Sequence, residues 1–250
     1  MSTHLTLRSG NPALTADTFR GVRSVTAEDV MTIEGTVNKT AISLVILLAA
    51  ATWTWNMPLG DPRVGVWMMA GVIGGFATAL VTIFRKTWAP YTTPAYAALE
   101  GLALGGISAV FESRYPGIAS QAVFLTFGTL GALLLAYRSG WIRPTENFKL
   151  GIVAATGGIA LVYLVGFVIS LFGATIPLIH GSGTVGILFS MLVVTIAALN
   201  LVLDFDFIEE ATEQGAPKYL EWYGAFGLLV TLVWLYLEML RLLAKLQDRR

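Results

Sequence analysis

The 250 residues include no cysteine, which excludes disulfides, thiolate zinc sites, iron–sulfur clusters and cysteine nucleophiles, and makes the redox state of the compartment irrelevant to folding. Charge is scarce as well: Asp, Glu, Lys and Arg make up 13% of the chain, about half of the roughly 25% usual in a soluble domain. With 55% hydrophobic residues and a mean hydropathy of +0.70, that scarcity rules out a soluble enzyme. The two histidines, His4 and His180, fall in a polar arm and in a loop, so no histidine metal cluster is expected. The formal net charge is zero, so nothing favours nucleic acid as a partner. No motif calls for a cofactor. His180-Gly-Ser182 places a serine near a base, but adjacency in a Gly-rich loop is not triad geometry.

What the chain has in quantity is long apolar runs. They lie at Ala41 to Met57, Val64 to Phe84, Ala95 to Phe111, Ile118 to Tyr137, Leu150 to Phe172, Thr184 to Leu203 and Trp222 to Leu243. Each is close to the ~20 residues that cross ~30 Å of hydrocarbon at 1.5 Å per residue. The expected fold is an all-α integral membrane protein, a bundle of seven transmembrane helices over residues 39–250. Residues 1–38 are polar and carry Asp17, Glu28, Asp29 and Glu34. They read as a cytoplasmic, partly disordered arm rather than a signal peptide, which would begin basic and turn apolar within a few residues. Within the arm, Thr26-Ala-Glu-Asp has the form of a helix N-cap followed by first-turn acids.

Lys and Arg in short loops set orientation. One side carries Arg8, Arg20, Arg23, Lys39, Arg85, Lys86, Arg138, Arg143, Lys149 and Lys218; the other has Arg63 and Arg114. This places the N-terminus in the cytoplasm. Arg241, Lys245, Arg249 and Arg250 then fall on the disfavoured outer side, an inconsistency that the earlier helices outweigh. Pro58, Pro62, Pro90, Pro94, Pro116, Pro144 and Pro177 all fall in predicted connections. Glycines inside the runs, among them Gly71, Gly74, Gly75, Gly101, Gly105, Gly106, Gly157 and Gly158, suit close approach of helix backbones, and Gly101 and Gly105 form a G-x-x-x-G pair.

Ionisable residues inside such runs are costly, at ~2.5 to 3.5 kcal/mol each at mid-bilayer, so they should face a cavity or a partner. Three occur, Glu100, Glu238 and Arg241, and a group of acids begins where the sixth run ends. At 100° per residue, Asn200, Asp204, Ile208 and Ala211 share one face, while Asp206, Glu209, Glu210 and Glu213 lie roughly opposite. Asp204 is therefore expected in the bundle, and Asp206 nearer cytoplasmic solvent. Glu238 and Arg241 are spaced to pair along one helix. Arg85, Glu100 and Asp204 are expected at similar depth near the cytoplasmic leaflet, where a buried acid–base latch could form.

Three pieces of the chain, in order and spacing, resemble the Bax-inhibitor family of seven-span membrane proteins in its bacterial branch. They are Phe84-Arg85-Lys86, the stretch Leu199-Asn-Leu-Val-Leu-Asp204-Phe-Asp-Phe-Ile208, and Leu235-Tyr-Leu-Glu238-Met-Leu-Arg241. The resemblance covers roughly residues 40 to 243. It implies a bundle with a central seventh helix, in a bacterial cytoplasmic membrane, acting as a pH-sensitive calcium leak. It also implies two acids on the sixth and seventh helices that share a proton, and an arginine latch on the second. Carried over, the sixth-helix acid is Asp204, with calcium as a candidate ligand, and the latch is Arg85. The seventh-helix acid is ambiguous. Leu-Tyr-Leu points to Glu238, but for straight helices joined near Gly215 that acid would lie ~18 Å from the level of Asp204, so a kinked or unwound helix would have to bring it deeper. Matching the Leu-Leu-Arg segment instead puts Thr231 there, with Glu100 or Asp206 as substitutes. The alternative role that the resemblance allows is a non-transporting regulator that binds another membrane protein, such as a quality-control protease.

Overall fold

The computed structural model describes residues 30–58, 60–173 and 181–249. Seven helices, each long and apolar enough to cross a membrane, run α1 (Ile33–Trp55), α2 (Pro62–Phe84), α3 (Ala89–Arg114), α4 (Ile118–Arg138), α5 (Glu146–Leu171), α6 (Thr184–Glu213) and α7 (Leu220–Asp248). A single 3-10 turn, Lys86–Trp88, joins α2 to α3. Among the described residues the one strand-like feature is an isolated bridge between Val30 and Pro217. His4, His180, Pro177 and the proposed cap at Thr26 lie outside the described residues.

Side-chain chemistry sorts as a lipid solvent requires. Large apolar groups such as Trp53, Phe76, Phe124, Leu135 and Phe167 are exposed, whereas Ser43, Thr54, Thr82, Thr93, Ser108 and Asn200 are buried. In water such an exterior would aggregate; in hydrocarbon it is solvated, and small polar groups serve at helix contacts. The last helix is the axis. It packs against α1, α3, α4 and α6, and Tyr223, Phe226, Leu229, Leu235 and Leu240 on it are fully buried. In contrast, α2 packs chiefly on α3, and α5 on α6.

Helix ends depart from the apolar runs where capping chemistry extends them. Thr32 N-caps α1, its hydroxyl accepting from Gly35 N at 2.9 Å, with Glu34 in the first turn. The boundary expected at residue 38 therefore lies inside α1. Asp61 N-caps α2, and hydrogen bonds from Arg63 hold its carboxyl below the usual carboxylate range. The placement of Pro62, Pro90 and Pro94 in connections is corrected: Pro62 opens α2, and α3 already begins at Ala89, so Pro90 lies in its first turn and Pro94 inside it. A membrane helix tolerates such an interior proline better than a soluble one does.

The expected close approach of glycines holds for one seam and fails for another. A Cβ on Gly101 would lie 2.3 Å from Leu47 O, and one on Gly105 would lie 2.1 Å from Ala51 O. The G-x-x-x-G pair thus seats α3 directly on the α1 backbone. Gly157 and Gly158 on α5 meet nothing within 4 Å, because α5 is peripheral and its glycines face away from its neighbours.

Candidate functional site

The antiparallel pair α6 and α7 turns at Gly215, whose φ of +67° is in the left-handed region open to glycine. The register of the pair follows from two contacts. A Cβ on Gly224 would come within 3.3 Å of Ile208, and near the far end Lys245 Nζ donates to Ser190 Oγ at 2.8 Å and Gly186 O at 3.1 Å. Between these anchors α7 is an unbroken helix. Asp204 is thereby level with Leu228, and Glu238 with Val194. The two acids stand about ten residues, or ~15 Å, apart along the bundle.

Asp204 is 0% exposed, with Asn200 at 1%, Ile208 at 6% and Ala211 at 2%, so the inward stripe predicted for α6 is present. One turn deeper than Asp204, Asn200 Nδ2 donates to Thr156 Oγ1 and to Ile196 O, both at 2.8 Å, while its Oδ1 is buried without a hydrogen bond. Asp206 lies on the other face and pairs with Lys149 at 2.6 Å; Lys149 also reaches Glu146 at 3.4 Å. Tyr137 donates to Glu209 beside this group. Asp206 therefore belongs to a partly exposed network of α4, α5 and α6, separate from Asp204.

Glu238 is not brought to Asp204. It is 0% exposed and its Oε1 accepts from Tyr163 Oη at 2.9 Å and from Arg241 at 2.6 Å. Because α7 is continuous α-helix from Leu220 to Asp248 and the register sets Glu238 level with Val194, Glu238 is not carried deeper as the Leu-Tyr-Leu match needs, and the position level with Asp204 is close to buried Thr231. Glu238 and Arg241 form instead the intrahelical pair allowed by their spacing. Tyr163, Arg241, Lys245 and Asp248 line a cavity of about 750 Å³ at that end of the bundle. Two of the basic residues that conflicted with the orientation rule, Arg241 and Lys245, are thus bonded within helix packing rather than placed in a loop.

Arg85 caps the C-terminus of α2 with its side chain exposed, whereas Asp204 is sealed, so no latch joins them in this structure. The adjacent cation does reach the axis: Lys86 Nζ lies 5.8 Å from the ring centroid of Tyr223 on α7. Glu100 also departs from its expected depth. With α3 starting at Ala89, it is about eleven residues, or ~16 Å, inside the helix rather than near the cytoplasmic leaflet, and it faces Gly75 of α2.

One buried acid was missed by sequence reasoning. Glu221, 1% exposed, accepts from Thr32 N and Thr32 Oγ1, both at 3.0 Å, and pairs with Lys39. It joins the start of α1 to the start of α7, and Met31 N donates to Ala216 O at 2.7 Å alongside. No signal in the sequence marked it: the slot that admits its carboxylate, opposite Gly35 whose Cβ would lie 2.1 Å away, exists only once α1 packs on α7.

Six apolar helices wrapped on a buried seventh, with acids sealed among them, define a polytopic helical membrane protein that resides in a lipid bilayer. The chain belongs to the Bax inhibitor 1 like family, whose model matches residues 11–248. No curated protein matches it.

Proposed function

We propose that this protein is a pH-sensitive cation leak, with calcium as the ion, in which protonation of Asp204 sets the balance between closed and open bundles. The observation that carries this reading is the sealed position of Asp204 on the inward stripe of α6, against the axial helix. A carboxylate there is stable only when neutral, paired or bound to a cation, so its charge state is coupled to packing. Asn200 Oδ1, one turn away on the same stripe, adds a second hard oxygen of the kind that suits calcium. Lys86, rather than Arg85, is the cation poised at the axial helix on the basic side, and Arg85 could serve as a latch only after that end rearranges. In the same reading the basic side is cytoplasmic, in a bacterial membrane.

The test is calcium flux into liposomes that contain only this protein, across a pH series. A flux that changes with pH, and loses that dependence in Asp204→Asn, is expected. A folded protein that passes no calcium at any pH would overturn the leak and favour the regulator that binds another membrane protein.

A further inference from the structure

We infer that Glu100 is a second proton-binding site, set at mid-membrane in the seam between α2 and α3, separate from Asp204 and open to hydrophobic carbodiimides from the lipid. Glu100 is about eleven residues from Ala89 and fourteen from Arg114, hence ~16 and ~21 Å from the two ends of α3. Its partner in the seam, Gly75, is similarly central in α2. The carboxyl lies in a slot made by the missing side chain there: a Cβ on Gly75 would be 2.7 Å from Glu100 Oε2. Neighbouring Gly71 and Gly74 seat α2 on Leu99 and Ala103 of α3. Thus Gly71 meets the α3 backbone, Gly74 meets the Leu99 side chain, and Gly75 leaves room for an acid.

Glu100 has no hydrogen bond or ion pair with any described residue. The charged groups on the surrounding helices are committed elsewhere. On α1, Lys39 pairs with Glu221; on α7, Glu238 is held by Tyr163 and Arg241. Arg63 and Arg85 mark the two ends of α2, Glu112 and Arg114 the far end of α3, and Arg138 the far end of α4. Tyr96, one turn earlier on α3, is the nearest titratable group along the helix, and it is itself buried against Phe226. An ionised carboxylate at that depth, with no cation beside it, is far more costly than a carboxylic acid. The group resting in the Gly75 slot is therefore the acid. Because Glu100 is half-buried rather than sealed, and α2 and α3 border lipid, a reagent dissolved in the bilayer can reach it.

The chemistry is defined. A carboxylic acid adds to dicyclohexylcarbodiimide: its proton moves to a reagent nitrogen, its oxygen bonds the central carbon, and the O-acylisourea rearranges to a stable N-acylurea with nothing leaving. The full-length protein in liposomes would be treated with this reagent from about pH 6 to about pH 9, and adducts mapped on peptides. The expected result is an adduct on Glu100 that falls about tenfold per pH unit once the proton is lost. A water-soluble carbodiimide should leave Glu100 unmodified. Gly75→Ala, which crowds the slot, should change the labelling rate at Glu100 without abolishing it elsewhere. Peptide mapping on the unmodified sequence needs no variant to fold. Absence of a Glu100 adduct under conditions that label another spanning acid, labelling independent of pH, or equal labelling by the water-soluble reagent would each overturn the inference. An adduct on Glu100 in a protein that passes no calcium would leave it standing while refuting the leak.

Discussion

Replacing Gly105 with Ala tests whether the α1–α3 seam is built on direct backbone contact. The added Cβ would lie 2.1 Å from Ala51 O and 2.2 Å from Thr54 Oγ1. Against an ordinary contact of 3.4 Å or more, the shortfall is about 1.3 Å, and a helical carbonyl cannot swing away without losing its own hydrogen bond. The helices must separate. Overpacking of this kind costs about 1 to 3 kcal/mol. Separation also strains the Thr54 Oγ1 bond to Leu102 O, now 3.0 Å, and interhelical bonds in membranes are worth about 0.6 kcal/mol. A better helix former returns up to about 1 kcal/mol, which leaves a net loss of about 1 to 3 kcal/mol. For a chain of this size that is a fall in melting temperature of about 3 to 10 °C, measurable by thermal unfolding in mild detergent. Gly157→Ala supplies the internal comparison, because a Cβ there meets nothing within 4 Å; it should be neutral or slightly stabilising. Equal melting temperatures for Gly105→Ala and wild type, or equal damage from Gly157→Ala, would refute the seam argument.

Asp204→Asn should alter pH-dependent calcium flux strongly and Asp206→Asn weakly, because Asp204 is sealed while Asp206 is paired with Lys149 in a partly exposed network; the liposome assay checks the order. In the same assay Glu238→Gln should retain the wild-type pH response, since the register holds it ~15 Å from Asp204 along the bundle, and a flattened response would restore it to the site. Glu221→Ala should destabilise the protein by about 2 to 3 kcal/mol in chemical unfolding, because it strands Lys39, whose side chain is 19% exposed, and two donors from Thr32.

Sequence by itself determined the class, the number of spans and the faces of α6. Lipid solvates a helix only if about twenty consecutive residues are apolar, so composition alone imposes the crossings. The 100° step per residue fixes that Asn200, Asp204, Ile208 and Ala211 lie together, whatever they pack against. Local spacing likewise paired Glu238 with Arg241. The level of one acid relative to another was not available in this way, because it depends on where helices start and how neighbours slide past each other. A capping threonine moved the start of α1, a proline-bearing first turn moved the start of α3 and with it Glu100, and the α6–α7 register separated Glu238 from Asp204. Residues distant in sequence could meet only in the folded chain, as Glu221 does with Thr32 and Lys39. Their contacts are set by interhelical packing, in which a glycine's significance depends on what stands opposite: backbone at Gly105, a carboxyl at Gly75, and open lipid-facing space at Gly157.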